Sequence, residues 1–231
     1  MERPYIICHM TTSLDGKVTG DFLGASGCAA AVETYYEINR NLNGDAYACG
    51  RVTMEGSFTG GWYPELTAFE NIDVPEGDFI ADPEARFFAV AFDRKGRLGW
   101  KTSRIEDEDP GYDNAHIIEV LCETAPKAYL AYLRSIGVSY LLAGETEMDL
   151  PLALAKLKRC FGVEKLLLEG GSILNGAFHR AGVIDELSLV VAPVTASAED
   201  KPLMDRGRME EYRLRDVKQY GEVLWLNYLR A

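Results

Sequence analysis

The chain of 231 residues lacks the features that mark several large classes of protein. Basic residues are the minority: 24 Lys and Arg stand against 36 Asp and Glu, which gives a formal net charge of −12. Nucleic acids and anionic membrane surfaces attract proteins through basic patches, and no run of five or more basic residues occurs. The composition therefore argues against a nucleic-acid or membrane-surface partner.

Long apolar runs are missing as well. None approaches the roughly 20 residues of a membrane-spanning helix, and the first apolar segment, Tyr5–Cys8, is too short for the apolar region of a secretory signal. The five cysteines are odd in number and form no C-x-x-C pair. Three of them, Cys8, Cys49 and Cys122, lie in apolar runs, so we expect reduced, buried thiols and a cytoplasmic protein.

Several catalytic signatures are absent. The three histidines stand apart and no metal-ligand spacing occurs, so no metal site is predicted. The H-x-E and P-C-x-x-C motifs of zinc deaminases, the G-x-S-x-G elbow and the Walker lysine are missing too. The sequence offers no obvious general acid, and the catalytic residues stay unassigned.

The pattern that is present is an alternation of strands and helices. The chain then ends in a predicted hairpin around Tyr220-Gly221. This order is typical of an α/β fold with a twisted, mostly parallel sheet, flanking helices and a C-terminal antiparallel hairpin. We expect one domain over residues 1–231. The predicted strands are Tyr5–Met10, Asp45–Cys49, Phe87–Phe92, Ala115–Cys122, Val138–Leu142, Lys165–Leu168, Glu186–Val191, Tyr212–Lys218 and Glu222–Leu229. The predicted helices are Cys28–Leu42, Thr53–Phe58, Pro126–Ser135, Leu150–Arg159 and Ile173–Ala181.

An acidic excursion at about residues 60–84 interrupts this order. The part from Glu65 to Glu84 holds seven acidic residues and no basic one. A solvated surface loop is the simpler interpretation. A lid over a site, helped by Trp62 and Tyr63, is the alternative.

A glycine turn follows the apolar run Leu166–Leu168. Gly170 and Gly171 allow close approach of the backbone, and Ser172 is a favoured N-cap for the helix that begins there. Free N–H groups at a helix start bind phosphate, so this turn predicts a phosphate-bearing ligand. A tight turn without a ligand is the alternative, because the G-x-G-x-x-G fingerprint is absent.

Charged residues accompany this turn and an earlier one. Glu169 follows its strand at the edge where open α/β sheets bind ligands, and its carboxylate can accept hydrogen bonds from a substrate or from nearby backbone. In the earlier turn, which begins at Gly50, Arg51 offers a guanidinium to a phosphate and Thr53 a hydroxyl. The alternative there is that Thr53 caps the helix toward Glu55 while Arg51 lies on the surface.

Together these segments resemble the reductase domain of riboflavin biosynthesis, a member of the dihydrofolate reductase superfamily. The resemblance runs through nearly the whole chain. It rests on four segments: Ser13-Leu14-Asp15-Gly16-Lys17, Gly50-Arg51-x-Thr53, Leu168-Glu169-Gly170-Gly171 with Leu174-Asn175-Gly176-Ala177-Phe178, and Gly182–Leu187 with Ala192-Pro193.

The resemblance implies a dihydrofolate reductase-like fold and NADPH as the cofactor. It implies a substrate held by Asp15, Lys17 and Glu169, and a homodimer built on the final hairpin. The residues it assigns to the cofactor are Thr12, Gly50, Arg51, Thr53, Gly170, Gly171, Ser172, Ile173, Leu174 and Asn175.

The sequence thus predicts an NADPH-dependent reductase of a small heterocyclic substrate resembling a ribosylaminopyrimidine. One alternative is a dihydrofolate reductase proper, which would carry an acidic residue on the first long helix. Glu33 is the candidate, although a solvated surface position suits it better. A second alternative is a module that binds NADPH without turnover.

Overall fold

The computed structural model describes residues 2–231. They divide into two compact units. Unit 1 contains the residues up to Pro4 and Asp45–Glu164, and unit 2 contains Tyr5–Gly44 and Lys165–Ala231.

Strands and helices alternate as predicted. The strands are β1 (Tyr5–Thr12), β2 (Ala46–Gly50), β3 (Phe88–Phe92), β4 (His116–Leu121), β5 (Ser139–Leu142), β6 (Lys165–Leu168), β7 (Glu186–Val191), β8 (Tyr212–Tyr220) and β9 (Val223–Arg230). The α-helices are α1 (Ala29–Leu42), α2 (Arg51–Met54), α3 (Lys127–Ser135), α4 (Leu150–Phe161) and α5 (Ser172–Arg180). A π-helical turn, Glu55–Thr59, continues α2.

Unit 1 is built on parallel strands in the order β5-β4-β3-β2. Every residue of β3 and β4 is buried, as expected of parallel strands that are covered on both faces. Helix α4 begins where the Asp149 side chain accepts a hydrogen bond from Leu152 N (2.9 Å), and it ends at Gly162, whose φ of 68° favours glycine.

The acidic excursion belongs to unit 1 and covers the outer strand of this unit. Phe79 forms an antiparallel bridge with Tyr140 of β5. Asp78 accepts a hydrogen bond from Leu142 N (2.9 Å) and pairs with Lys156 Nζ (2.8 Å). These contacts satisfy backbone groups that an open edge strand would expose. The excursion is therefore held against the sheet edge, which favours a fixed covering over a lid.

Unit 2 carries the strand order β6-β1-β7-β9-β8. β6, β1 and β7 are parallel, and β9 and β8 form the predicted antiparallel hairpin. β9 lies between β7 and β8, so β8 is the edge strand of this unit. Val223 is 1% exposed and packs into a core cluster with Phe22 and Cys28, so it is not part of an open apolar face.

The predicted starts of α1, α2, α3 and α5 differ from the structure by one or two residues, and those of α2 and α5 concern the capping residue. α2 begins at Arg51 with Gly50 as the N-cap, two residues before the predicted start at Thr53. In α5 the N-cap is Gly171, and Ser172 is the first helical residue. The Ser172 hydroxyl lies one residue inside the helix, where it donates to Pro202 O and makes no capping hydrogen bond. In both cases a glycine in extended conformation takes the capping position.

The predicted burial of three cysteines is confirmed. Cys8, Cys49 and Cys122 are buried, and all five cysteines are free thiols. Within residues 2–231, no helix combines the length and the apolar character needed to cross a membrane.

Candidate functional site

The candidate residues of unit 2 lie where its parallel strands end. Glu169 follows β6, and Thr12 is the last residue of β1, in register with Val191 at the end of β7. The carboxyl ends of parallel strands form the edge at which open α/β sheets bind ligands. The topology therefore brings the Glu169 turn and the end of β1 to one edge of this unit.

At the Gly170-Gly171 turn the backbone lies close to neighbouring atoms, which glycine allows. Gly170 has a φ of 94°, and a Cβ there would lie 3.1 Å from Met10 Cε, so a larger residue fits poorly. Gly171 caps α5 without a side chain. The first N–H groups of this nine-residue helix thus have no capping side chain in front of them, which is the arrangement that binds anions.

The polar side chains of α5 hold the chain segment Pro202–Asp205. Asn175 is fully buried and donates through Nδ2 to Leu203 O (3.1 Å), while Ser172 donates to Pro202 O. A Cβ at Gly176 would lie 1.9 Å from Asp205 O. Glycine at this position therefore allows α5 to pack against the backbone of Asp205. What α5 leaves for a ligand is its backbone, the half-buried Leu174 and the exposed Ile173.

Glu169 has a buried partner that the sequence analysis missed. The Glu169 side chain is 8% exposed, and Asn39 Nδ2 on α1 donates to its Oε1 at 2.5 Å. Asn39 is 4% exposed although it is polar. It follows Ile38, which belongs to the apolar stripe of α1 at helical spacing, Ala31, Tyr35, Ile38 and Leu42. A polar residue at the border of this stripe was the available signal. The Asn39 amide orients one carboxylate oxygen of Glu169.

Asp15 and Lys17 fasten their turn to a neighbouring segment. Asp15 Oδ1 accepts from Ser13 Oγ (2.7 Å) and from Ala196 N (2.9 Å), and these hydrogen bonds lower the pKa of Asp15. Lys17 Nζ donates to Ala198 O (3.2 Å) and Asp200 O (2.9 Å). Their roles as substrate ligands stay predictions.

Unit 1 contains a cleft of about 730 Å³ at the carboxyl ends of its strands. It is lined by Arg51, Lys95 and Arg97, with Glu55 as its acidic residue. Lys95 and Arg97 are exposed on the segment that follows β3, and sequence reasoning missed both. Three cations against one acid make a local basic site in a chain of net charge −12. We call this the basic cleft.

Arg51 is already engaged in the basic cleft. Its Nη1 pairs with Glu55 Oε2 at 2.7 Å, one helical turn away, and both side chains are about one-third exposed. A partly exposed pair of this kind contributes little to stability, so the guanidinium remains available to an anion. Thr53 is half-buried.

The histidines are not assembled for metal binding. No group of three or more His, Cys, Asp or Glu in the described part of the chain is arranged to hold a metal ion. Burial lowers the pKa of His9 to about 4. The neutral ring is stacked on Tyr35 with centroids 4.2 Å apart.

Comparison with known proteins gives the family. The sequence profile of the RibD C-terminal domain matches residues 94–226, more than half of the chain. The chain belongs to the RibD C-terminal domain family. Two similar proteins are described as 2,5-diamino-6-ribosylamino-4(3H)-pyrimidinone 5′-phosphate reductases. The protein of Methanothermobacter thermautotrophicus is 29% identical over 98% of both chains. That of Aquifex aeolicus is 26% identical over 90% of this chain and 84% of its own.

Solved RibD structures share the fold. Acinetobacter baumannii RibD aligns with 99% of this chain at a TM-score of 0.68 and 20% identity. The chain spans 58% of the length of that protein. The predicted α/β fold, with a mostly parallel sheet, flanking helices and a C-terminal antiparallel hairpin, is confirmed, and it is the fold of RibD.

Proposed function

We propose that this protein is an NADPH-dependent reductase of a ribosylaminopyrimidine 5′-phosphate. The observation that carries the proposal is the match to two pyrimidinone phosphate reductases over nearly the full length of the chain. As a member of the RibD C-terminal domain family, the chain shares their reductase class.

The turn in unit 2 fits a dinucleotide. Gly170 packs so closely on Met10 that a Cβ would crowd that side chain, and α5 begins directly after this turn with no capping side chain at its N-terminus. We expect the backbone of Gly171 to Leu174 to hold a phosphate group of NADPH, and Thr12 to lie beside the nicotinamide. NADPH, when bound, supplies the hydride for the reduction.

The basic cleft in unit 1 fits a phosphate monoester. Arg51, Lys95 and Arg97 can each make charge-assisted hydrogen bonds to phosphate oxygens. The group that distinguishes NADPH from NADH is a 2′-phosphate. A protein with a net negative charge needs a local cluster of cations to bind such a phosphate. We infer that these three residues bind the 2′-phosphate of NADPH.

Glu169 is suited to hold the substrate. Because Asn39 donates a hydrogen bond to Oε1, the carboxylate is fixed in orientation, and we expect this carboxylate to accept a hydrogen bond from a substrate amine or hydroxyl. A fixed acceptor positions the substrate for reduction without giving up the conformational entropy of a free side chain.

The experiment is an assay of NADPH oxidation with the purified chain and 2,5-diamino-6-ribosylamino-4(3H)-pyrimidinone 5′-phosphate. We expect turnover, and we expect Glu169→Gln to lower kcat/KM by about tenfold to a hundredfold, the worth of one hydrogen bond to a charged group. NADPH affinity should not change. Glu164→Gln, an exposed neighbour in the sequence, is the matched control. Reduction of dihydrofolate instead, or NADPH binding with no oxidation, would contradict the proposal and identify one of the two alternatives.

The same proposal includes a cytoplasmic homodimer. The edge strand β8 exposes Leu214 by 54% and Val217 by 50%, and Leu224 of β9 is 38% exposed. A second copy that covers this edge would shield both the apolar side chains and the backbone groups.

A further inference from the structure

Two buried acids lie behind the loop that supplies the basic cleft. Asp93 is 2% exposed at the end of β3, and Glu119 of β4 is fully buried. Neither belongs to the predicted site. Burial of a carboxyl group lowers the stability of the folded protein unless the group is hydrogen-bonded. The hydrogen bonds of Asp93 and Glu119 therefore indicate the roles of these two residues.

Asp93 organises the loop itself. Its carboxylate accepts hydrogen bonds from the backbone N–H groups of Lys95 (3.3 Å), Leu98 (2.9 Å) and Arg97. Two of these residues carry the cations of the basic cleft. The direction of both side chains therefore depends on where this buried carboxylate holds their backbone.

Glu119 fastens the far end of the same loop. Its Oε2 accepts a hydrogen bond from Trp100 Nε1 at 3.1 Å and lies 2.7 Å from the Tyr129 hydroxyl. That hydroxyl is also 2.6 Å from Leu98 O. A hydroxyl has one proton, so Tyr129 can satisfy both acceptors only if Glu119 brings a proton of its own.

The Tyr129 ring supports the middle of the loop. Gly96 has a φ of 65°, and a Cβ there would lie 2.5 Å from Tyr129 Cδ1. Tyr63 stacks on Tyr129 with centroids 5.8 Å apart and donates to Gly96 O at 2.8 Å. The loop thus rests on Tyr129, and the hydroxyl of this tyrosine is held by Glu119.

We propose that Glu119 is a positioning residue for the basic cleft: through Tyr129 and Trp100 it fixes the segment from Asp93 to Trp100 so that Lys95 and Arg97 can bind a phosphate monoester. The proposal rests on the proposed function of the cleft. It adds that affinity for that phosphate depends on a side chain that never touches it.

The test measures binding of adenosine 2′,5′-bisphosphate and of adenosine 5′-monophosphate to the full chain by calorimetry. The ratio of the two affinities reports the contribution of the 2′-phosphate. Glu119→Leu removes a buried acceptor and a proton source worth about one to two hydrogen bonds, so we expect the ratio to fall about tenfold. Glu119→Gln is uncharged and keeps an acceptor and a donor, so it should stay within about threefold of the wild type.

Two further variants keep the test decisive. Tyr129→Phe removes only the hydroxyl that joins Leu98 to Glu119, and it should lower the ratio even if Glu119→Leu does not fold. Ser139→Ala is the control, because Ser139 donates or accepts buried hydrogen bonds with Ala81 N and His116 at the other side of the unit. It should lower stability and leave the ratio unchanged.

The outcomes separate the two claims. An unchanged ratio in folded Glu119→Leu or Tyr129→Phe would overturn the positioning role, and so would an equal loss in Glu119→Gln and Glu119→Leu. A wild-type protein that binds the two nucleotides equally would instead refute the proposed function of the cleft, and the positioning role with it.

Discussion

Replacement of Glu119 by glutamine should make the stability of the protein less dependent on pH, so that the variant gains on the wild type as the pH rises. Burial, followed by the nearby Asp93 carboxylate, holds the pKa of Glu119 well above its usual 4.5, against the opposing hydrogen bonds from Tyr129 and Trp100. In the unfolded chain Glu119 ionises near its usual pKa. Above that pH, folding must return a proton to this carboxyl group.

The size of the effect follows from proton linkage. Because the pKa of Glu119 is raised in the folded state, protonated Glu119 contributes its full share to the unfolding free energy below about pH 4.5. This contribution is lost as the pH rises through the folded-state pKa. For one proton the loss is about 1.4 kcal/mol per pH unit. Glutamine has no proton to recover. The stability of the variant should therefore increase relative to the wild type as the pH rises above about 4.5.

The assay is urea unfolding followed by tryptophan fluorescence at a series of pH values from 4 to 7. The quantity of interest is the difference in unfolding free energy between Glu119→Gln and the wild type, because titrating groups that do not interact with Glu119 cancel in it. Glu145→Gln, at an exposed position of the same unit, should show no such slope. A Glu119→Gln difference that is constant over this pH range would refute the reasoning.

Four other outcomes are expected. Gly171→Val should weaken NADPH binding with little loss of stability, since the φ of −73° at this position accepts a side chain; unchanged affinity in calorimetry would contradict this. Arg51→Gln should weaken NADPH by about tenfold to a hundredfold and leave NADH nearly unaffected, whereas equal weakening of both would make Arg51 structural. Gly99→Ala should lower the unfolding free energy by about 1–3 kcal/mol or more, because its Cβ would lie 1.8 Å from Trp62 O; an unchanged urea midpoint would contradict it. Light scattering at micromolar concentration should give a dimer, and Leu214→Asp on β8 should give a monomer; a wild-type monomer would refute the proposed assembly.

The local pattern of the sequence determined the order of the elements. Buried strands such as Phe88–Phe92 and Lys165–Leu168 are continuous apolar runs, and amphipathic helices such as α4 show one apolar stripe. These signals are local, because side-chain period and turn chemistry depend on neighbours along the chain. The same local chemistry marked the turns at Gly50 and Gly170 as phosphate-binding candidates.

The helix starts show where local signals reach their limit. Serine and threonine are good N-caps on average, but α5 begins one residue earlier than a serine cap would place it, with Gly171 as the N-cap. Ser172 is then the first helical residue, and its hydroxyl donates to Pro202 O, which is distant in sequence. The exact helix start depends on such tertiary contacts and cannot be assigned from neighbouring residues alone.

Only the tertiary structure decided which side chains surround each turn. Asn39 meets Glu169 across 130 positions of sequence, and Lys95 and Arg97 join Arg51 in the basic cleft. Glu119 lies inside a strand that otherwise reads as apolar, and its role depends on Tyr129 and Trp100. Residues far apart in the chain are brought together by strand order and loop packing, which the period of a sequence does not encode. The sequence therefore determined the elements and the kind of chemistry at their ends, while the packing of distant segments decided which residues carry it out.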